Sequence, residues 1–408
     1  MAKTHQSALR ILFLDVNLTY INPTRQLLPK VFLEIGQTTT FGPGYVGRNL
    51  LERGISAFIE DYGPFDVLVS SELIPLHQIR DKTTVLRAYR NNYHFNFDIS
   101  EVEFLPQIFD DFRRFSGPKI VTTLQTDYYN LTNEHIDTLF ETADYLIGWG
   151  SEFFSTVDKL MELDPDLYPK PNDNWLGAIE RSSEKIISIP AFVSGSEFNP
   201  TPLAARRRAW SVLGVNYKSR RLARQKLTEL GVGWNGKGIY YALALLTRVG
   251  VNPFNKLHSI RMFNYLFRRT LGQCKYSYTC GSSLRYPIRK FFEIPACGAV
   301  LVCDSCNGFE ALGFRDKLNA LACAPEEILE AHMFLESDLE RAQAIADEGR
   351  KLVWRVHTVS ARAQQISDSL EAVMEGRFGG TYWHGGFFYI NDRHSGSTYK
   401  VQHEAVEH

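Results

Sequence analysis

The feature that most constrains this chain is a rhythm: short apolar runs, each long enough for one buried strand, alternate with stretches whose apolar residues recur at helical spacing. Ile11–Leu14 is such a run, and Val46, Leu50, Leu51, Ile55 and Ile59 follow it at helical spacing. Val67–Val69 stands behind Gly63-Pro64, and Lys119–Thr123, Tyr145–Gly148 and Ile186–Ile189 repeat the pattern, with a helical stretch at Asn133–Thr142. A strand buried on both faces reads as an unbroken apolar run, and a parallel neighbour requires a crossover helix. The rhythm therefore predicts an α/β fold with a parallel sheet covered by helices.

A break follows at Ser194-Gly195-Ser196 and Asn199-Pro200-Thr201-Pro202, a linker composition. The alternation then restarts with Ala209–Leu213, a basic helix over Ser219–Leu230 and a strand at Ala299–Cys303. Leu335, Leu339, Ala342, Ile345, Leu352 and Val356 mark one long amphipathic helix, or two in close succession. The expected organisation is two Rossmann-like units, residues 1–200 and 201–375, facing each other across a cleft. A helix near Ala361–Met374 is expected to return toward the first unit. Residues 376–408 form a tail rich in glycine and aromatics, expected to lie across the junction or to end in disorder. Ligands of open α/β sheets bind at the carboxyl ends of the strands, so the cleft is where function is sought.

The formal net charge is −1, which gives no overall field favouring nucleic acid, and no nucleic-acid partner is expected. No run approaches the roughly 20 apolar residues that cross a bilayer, and Ile11–Val16 is too short for a signal-peptide core. The expectation is a cytoplasmic protein, with peripheral membrane contact left open. Arg206-Arg207-Arg208 reads as linker surface that an anionic lipid or acidic acceptor could use. All six cysteines lie in the second half, and Cys303-x-x-Cys306 lacks a second ligand pair, so buried reduced thiols are expected rather than zinc. The histidines show no H-x-x-x-H or H-E-x-x-H pair, so no metal is expected.

The most informative stretch runs from Ser282 to Asp304: a loop, a short helix accommodating Pro287 in its first turn, a stop at Gly298, then a buried strand. Ser282, Ser283 and the backbone amides of the helix start suit an anion, with Arg285 or Arg289 adding charge. Glu293 stands one turn beyond Arg289 on the same face, where a carboxylate could accept bonds from two ribose hydroxyls. A surface helix pair between Arg289 and Glu293 accounts for the spacing equally well.

This segment resembles the glycosyltransferase "group 1" carboxy-terminal module, especially the branch that includes the spore-maturation protein CgeB. Its pattern, Arg-x-Phe-Glu-[small]-x-Ala-Cys-Gly before a hydrophobic strand, is matched by Arg289, Phe291 or Phe292, Glu293, Ala296, Cys297 and Gly298. Ala324–Leu329 resembles the family's Pro-Glu-Glu-Leu helix start, and Glu348-Gly349-Arg350 and His357-Thr358-x-x-x-Arg362 resemble its closing motifs. The resemblance implies a GT-B fold and a nucleotide-sugar donor, a UDP-sugar first, with Glu293 on the ribose and the Ser282–Arg285 loop facing the diphosphate or sugar. It implies no cofactor, since the nucleotide sugar is a substrate. Related retaining enzymes carry a glutamate eight positions before this one; here that position is Arg285, which leaves the sugar and the stereochemical outcome open.

Other candidates complete the expected site. Gly214, Lys218, Arg220, Arg221, Arg224 and Lys226 follow the first strand of the second unit, and Arg220 or Arg221 is expected to offset charge developing on the diphosphate. Gly42 and Gly44 precede the helix at Val46 and would let backbone approach a ligand; a plain turn explains them equally, and without a G-x-G-x-x-G fingerprint NAD is not expected. Asp127, after a first-unit strand, could deprotonate an acceptor hydroxyl or merely cap a loop. The leading expectation is metal-independent, retaining transfer of sugar to a glycan, a lipid-linked or another hydroxyl acceptor. A non-catalytic sugar-binding protein of the same fold and a nucleotide-sugar epimerase are the alternatives.

Overall fold

The computed structural model describes residues 9–19, 23–76, 95–124, 131–165, 167, 172–249, 257–282 and 284–402; Asp127 and Ser283 lie outside the described residues. Strands β1 (Arg10–Leu14), β2 (Gln37–Phe41), β3 (Val67–Ser71), β4 (Lys119–Thr122), β5 (Tyr145–Gly148) and β6 (Ile186–Ser188) form one sheet in the order β2-β1-β3-β4-β5-β6. Every neighbouring pair in it is parallel. Strands β7 (Arg208–Ser211), β8 (Trp234–Asn235), β9 (Cys274–Thr279), β10 (Val300–Cys303) and β11 (Leu321–Ala322) form a second parallel sheet in the order β11-β10-β9-β7-β8.

Counted within each unit, the two orders are the same: the second strand lies outside the first, and the third lies on the first strand's other side. Each sheet therefore has a switch point, β1/β3 in one and β7/β9 in the other, where successive crossovers leave in opposite directions and open a crevice at the carboxyl ends. Ile11, Leu12, Phe13 and Leu14 are wholly buried, as are Val67, Leu68 and Val69. Burying each such side chain contributes about 1.5–3 kcal/mol, which is why continuous apolar runs became central strands.

Helices α1 (Pro23–Ile35), α2 (Arg48–Tyr62), α3 (Leu105–Arg114), α4 (Asn133–Thr142) and α5 (Asn174–Arg181) belong to the first unit. Helices α6 (Lys218–Glu229), α7 (Lys237–Arg248), α8 (Leu257–Gly272), α9 (Lys290–Ala296), α10 (Ile328–Ser337) and α11 (Leu339–Val356) belong to the second. The long amphipathic stretch breaks between α10 and α11 at Asp338, whose backbone is extended and whose carboxylate caps α11 by accepting from the Arg341 amide at 2.9 Å. Helix α12 (Val359–Met374) crosses back and lies against α1.

The tail is ordered as a third sheet. Strands β12 (Phe378–His384), β13 (Phe387–Asp392) and β14 (Thr398–Lys400) pair antiparallel, with Gly385-Gly386 as the hairpin turn. This corrects the expectation of a disordered end as far as residue 402. The sheet spans the junction: the Ser188 amide donates to Thr381 Oγ1 (2.6 Å), Trp383 Nε1 donates to the Ser188 carbonyl (2.8 Å), and the Gly386 amide donates to Ala311 of the second unit (2.9 Å).

The carboxyl edges of the two parallel sheets meet. Asn307 Nδ2, beyond β10, donates to Ser155 Oγ at 2.8 Å, and Lys218 at the start of α6 pairs with Asp164 at 3.3 Å. The rings of Trp149 and Tyr286 stand 5.2 Å apart, edge to face. Among the described residues, no helix is long and apolar enough to cross a membrane.

Candidate functional site

The second unit's switch point is built around one turn. After β7 the chain turns at Gly214, with φ of 105°, before entering α6. Arg224, from within α6, holds this turn: Nε and Nη2 donate to the Val212 carbonyl at 3.2 and 3.1 Å, and Nη2 also donates to Gly214 at 2.8 Å. Tyr217, at the helix N-cap, makes no side-chain cap, so the first-turn amides stay open to an anion.

Arg220 lies across the crevice. It is 1% exposed, its Nη1 donates to the Val215 carbonyl and its Nη2 to Thr279 Oγ1, both at 3.2 Å, at the ends of β7 and β9. Among the described residues, its buried Nε has no hydrogen-bond partner. A buried cation carrying an open donor and held by neutral oxygens is prepared for an anionic ligand.

Lys290, the first residue of α9, joins it. A Cβ added to Gly214 would stand 2.7 Å from Arg220 Nη1, 2.8 Å from Lys290 Cε and 2.9 Å from Lys290 Nζ, and the φ of 105° favours glycine there. Burial, reinforced by Arg220's charge, pulls the Lys290 ammonium down to about 8, with Glu293 pulling the other way. Sequence reasoning misses Lys290, although a signal is present: the Arg-x-Phe-Glu pattern places its cation three residues before the glutamate, which is Lys290 in this chain, one position beyond Arg289.

Arg289 does not reach the anion site. Its Nη2 donates to both oxygens of Glu197 (2.8 and 2.6 Å), its Nε to the Phe192 carbonyl (3.1 Å), and its Nη1 to Glu293 Oε1. These bonds occupy four of its five N–H donors and leave no two-pronged fork for a phosphate, which speaks against its assignment to donor binding. The Arg289–Glu293 helix pair of the alternative reading does form, but buried rather than at the surface, since Glu293 is 6% exposed. Oε1 of Glu293 is taken; among the described residues no protein donor reaches Oε2.

The loop after β9 wraps around Asp304. The Gly281 amide donates to Asp304 Oδ1 at 3.1 Å and Ser219 Oγ to Oδ2 at 3.0 Å, while Arg285 lies 3.9 Å from Oδ2 and also donates to the Ser305 carbonyl. Ser282 and Arg285 both sit at positive φ, 61° and 57°, a strained backbone for residues with side chains. Ser282 Oγ accepts from the Leu284 amide at 3.1 Å. Beside this loop opens a cavity of about 530 Å³ lined by Ser219, Leu222, Arg285, Asp304, Ala324 and Glu327. A second cavity of about 560 Å³, between Pro200, Gly298 and Arg350, lies at the amino end of β10, away from both carboxyl edges. Arg221 is exposed, turned one helical step away from Arg220, and does not join the cation pair.

The first unit's switch point carries the opposite charge. Asp15 follows β1 and Glu72 follows β3; Arg25 of α1 pairs with Glu72 at 2.6 Å and stands 3.9 Å from Asp15 Oδ1. Among the described residues, Tyr45 Oη, Glu72 Oε2 and Thr122 Oγ1 are buried without hydrogen-bond partners, and the buried Asp15 Oδ1 and Ser71 Oγ have only the Asp15–Ser71 side-chain contact at hand. Such atoms at the ends of adjacent strands call for a polar ligand, since buried polar groups are ordinarily paired. Burial pushes the Asp15 carboxyl up to about 6, against the lowering pull of Arg25. Gly42 and Gly44 shape the turn that presents Tyr45: a Cβ on Gly42 would stand 2.1 Å from the Asp15 carbonyl oxygen. The Gly44 amide already donates to Glu101 at 2.8 Å, which speaks against donor binding by Gly44 and leaves the assignment of Gly42 untested. Sequence reasoning also misses Asp15 and Glu72, although each directly follows a buried strand.

Residues 219–368 match the family described as glycosyl transferase-like. The second unit carries a glycosyltransferase domain. No curated protein matches the chain. Among solved structures, sucrose-phosphate synthase from Thermosynechococcus elongatus is 10% identical, with 90% of this chain and 100% of that one covered at a TM-score of 0.51. A glycosyltransferase from Rickettsia africae is also 10% identical, over 91% and 100% at 0.47. Anabaena HepE in complex with UDP-glucose is 14% identical, over 89% and 99% at 0.48. The first of these likenesses identifies the fold as GT-B. All six cysteines of the domain are free and buried, and among the described residues no group of three or more His, Cys, Asp or Glu could hold a metal ion.

Proposed function

We propose that this protein transfers a sugar from a nucleotide-sugar donor to a hydroxyl acceptor, the donor bound by the second unit and the acceptor by the first. The observation that carries the reading is the Arg220–Lys290 pair at Gly214, two cations at the switch point of the glycosyltransferase domain. They bind the donor diphosphate and neutralise the charge that develops on it as the bond to the sugar breaks, the role expected to supply the largest share of catalysis. The α6 amides add neutral donors to the same phosphates. Glu293 takes the ribose hydroxyls through Oε2, held in place by Arg289 and Glu197. The 530 Å³ cavity beside Asp304 receives the rest of the nucleotide.

On the acceptor side, Asp15 is the group we assign to the acceptor hydroxyl, in the place that the sequence alone gives to Asp127. The acceptor is a glycan or lipid-linked hydroxyl. UDP-sugars are the first donors to test. We place the chain in the CgeB-like branch, acting in the cytoplasm with no resident cofactor or metal, and with retention of anomeric configuration.

Incubation with a panel of UDP- and GDP-sugars tests the reading directly. Release of nucleoside diphosphate that persists in EDTA is expected; binding without release would support a non-catalytic protein, a reading favoured by the tie between Arg285 and Asp304 where a sugar-contacting glutamate is otherwise expected. Isomerised sugar without nucleotide release would indicate an epimerase. The anomeric configuration of the product, read by NMR, tests retention.

A further inference from the structure

Between Glu229 and Glu293 the chain contains no acidic residue, although acids and bases are nearly equal in number overall, 46 against 45. This stretch holds α7 and α8, the two helices inserted between β8 and β9. On α7, Lys237, Tyr241, Leu245, Arg248 and Val249 follow one another at helical spacing along one stripe. Tyr241, Leu245 and Val249 are 67%, 63% and 63% exposed. On α8, Met262 and Tyr265 are 52% and 55% exposed, and Arg261, Arg268 and Arg269 flank them at the same helical intervals. Both helices thus present apolar side chains to solvent, bordered by cations and by no acidic residue.

Of the Arg206–Arg208 triplet, the membrane candidate in the sequence, only Arg207 and Arg208 are exposed. Arg206 is buried and donates to the carbonyls of Thr201, Leu271, Cys274 and Cys297, pinning the ends of α8 and α9.

We propose that the exposed faces of α7 and α8 dock the protein on an anionic lipid surface. Charge complementarity selects this occupant. Cations contact anionic headgroups while leucine, valine, methionine and tyrosine side chains enter the interfacial layer, the physical pattern of an in-plane amphipathic helix. A second copy of the chain paired through the same face would set cations against cations with no acidic residue between Glu229 and Glu293 to offset them, which opposes association. The proposal deepens the reading of a lipid-linked acceptor, and its test stands apart from that reading, because vesicle binding and nucleotide binding are measured separately.

The full chain is sedimented with vesicles of phosphatidylcholine, with and without phosphatidylglycerol, at low and high salt. Binding is expected only with phosphatidylglycerol and is expected to weaken with salt. The variant Leu245→Ser/Arg248→Glu/Val249→Ser should partition at least ~10-fold less, since each basic residue near an anionic surface contributes measurably and the apolar anchors are removed as well. Its melting temperature and UDP affinity should be unchanged, which separates lost docking from lost folding. The proposal is overturned if wild-type protein ignores anionic vesicles at low salt, or if the variant binds them as well as wild type. Concentration-dependent self-association or oligonucleotide binding that the variant abolishes, without vesicle binding, would likewise overturn it in favour of a protein or nucleic-acid interface.

Discussion

Arg220 and Lys290 converge on one glycine: the guanidinium Nη1 and the ammonium lie 2.7 and 2.9 Å from the single point that a Cβ of Gly214 would occupy. The first cation comes from the helix after β7 and the second from the helix after β9, so the two meet only because those strands are neighbours at the switch point. Like charges at such a distance repel, and burial adds to the cost. A diphosphate between them removes both penalties.

Nucleotide affinity should therefore depend on pH with a defined sign. Lys290 is pulled down to about 8 in the free protein, and bound phosphate raises it, so affinity is full below pH 8 and falls as pH rises through that value. Calorimetric titration with UDP near pH 8, in buffers of different ionisation heat, should show proton uptake on binding. Lys290→Met should bind UDP roughly ten- to a hundred-fold more weakly, the worth of one charge-assisted bond of about 1.5–3 kcal/mol, and should take up no proton. Wild-type affinity that is flat from pH 7 to pH 9 would remove Lys290 from the diphosphate.

Glu293 and Arg289 separate by substitution. Arg289→Lys loses the planar fork that reaches Glu197, Glu293 and the Phe192 carbonyl together, so its melting temperature should drop while UDP affinity changes little. Glu293→Gln should lose about ten- to a hundred-fold in affinity for UDP. It should show no further loss for a UDP analogue lacking the ribose hydroxyls, which wild type binds more weakly. An unchanged preference for the hydroxylated ligand in Glu293→Gln would assign the carboxylate to the linker alone.

The architecture is legible in the sequence because central parallel strands are buried on both faces and so read as apolar runs. Edge strands are not held to that pattern: β2, Gln-Thr-Thr-Thr-Phe, is half-exposed and carries no apolar run, and the two-residue β8 leaves almost no signature. The tail hides its strands behind glycines that serve as turns and close approaches. In the site, a motif marks Glu293, but Glu197 and the Phe192 carbonyl, which hold its partner Arg289, lie about a hundred residues away, beyond any local pattern. Arg220 and Arg221 look alike in sequence; only the helix register, which buries one and exposes the other, tells them apart.

The closing His-Thr-x-x-x-Arg motif has a structural reading that stability can test. Arg362 is wholly buried and donates to the carbonyls of Pro190, Ala191 and Val356, to Gln365 and to His357 Nδ1. It fastens α12 to the segment that leaves β6. Arg362→Met takes the donor from the Pro190 and Ala191 carbonyls, Gln365 Oε1 and His357 Nδ1, while Val356 keeps Gln365 Nε2, so a loss of about 3 kcal/mol or more is expected. Thermal melts should show it, and hydrogen exchange should rise first in α12 and the β12–β14 sheet. A variant as stable as wild type would contradict this account.

Asp15 permits a prediction in which stability and activity move in opposite directions. Its carboxyl is raised from the ordinary 3.8 to about 6, chiefly by burial. A raised acid binds its proton more tightly in the folded state than in the unfolded one, so the stability it confers is full below pH 4 and is lost as pH rises through 6. Asp15→Asn removes that loss. Relative to wild type, the variant should gain stability between pH 4 and pH 7, by about 3 kcal/mol at most, because wild type loses about 1.36 kcal/mol for each pH unit crossed between 3.8 and 6. Arg25 keeps its 2.6 Å pair with Glu72, so the substitution does not strand a buried cation. Transfer should behave the other way. If Asp15 accepts the acceptor's proton, wild-type kcat rises with pH through about 6, whereas the variant shows no such limb and is slower by about 10²–10⁴-fold at pH 7. UDP affinity, which belongs to the other unit, should not change. Melting curves at pH 4 and pH 7, beside a pH–rate profile, decide the matter: a variant less stable at pH 7 with its acid limb intact would make Asp15 a structural partner of Arg25 and return the search for the acceptor-side base to the rest of the cleft.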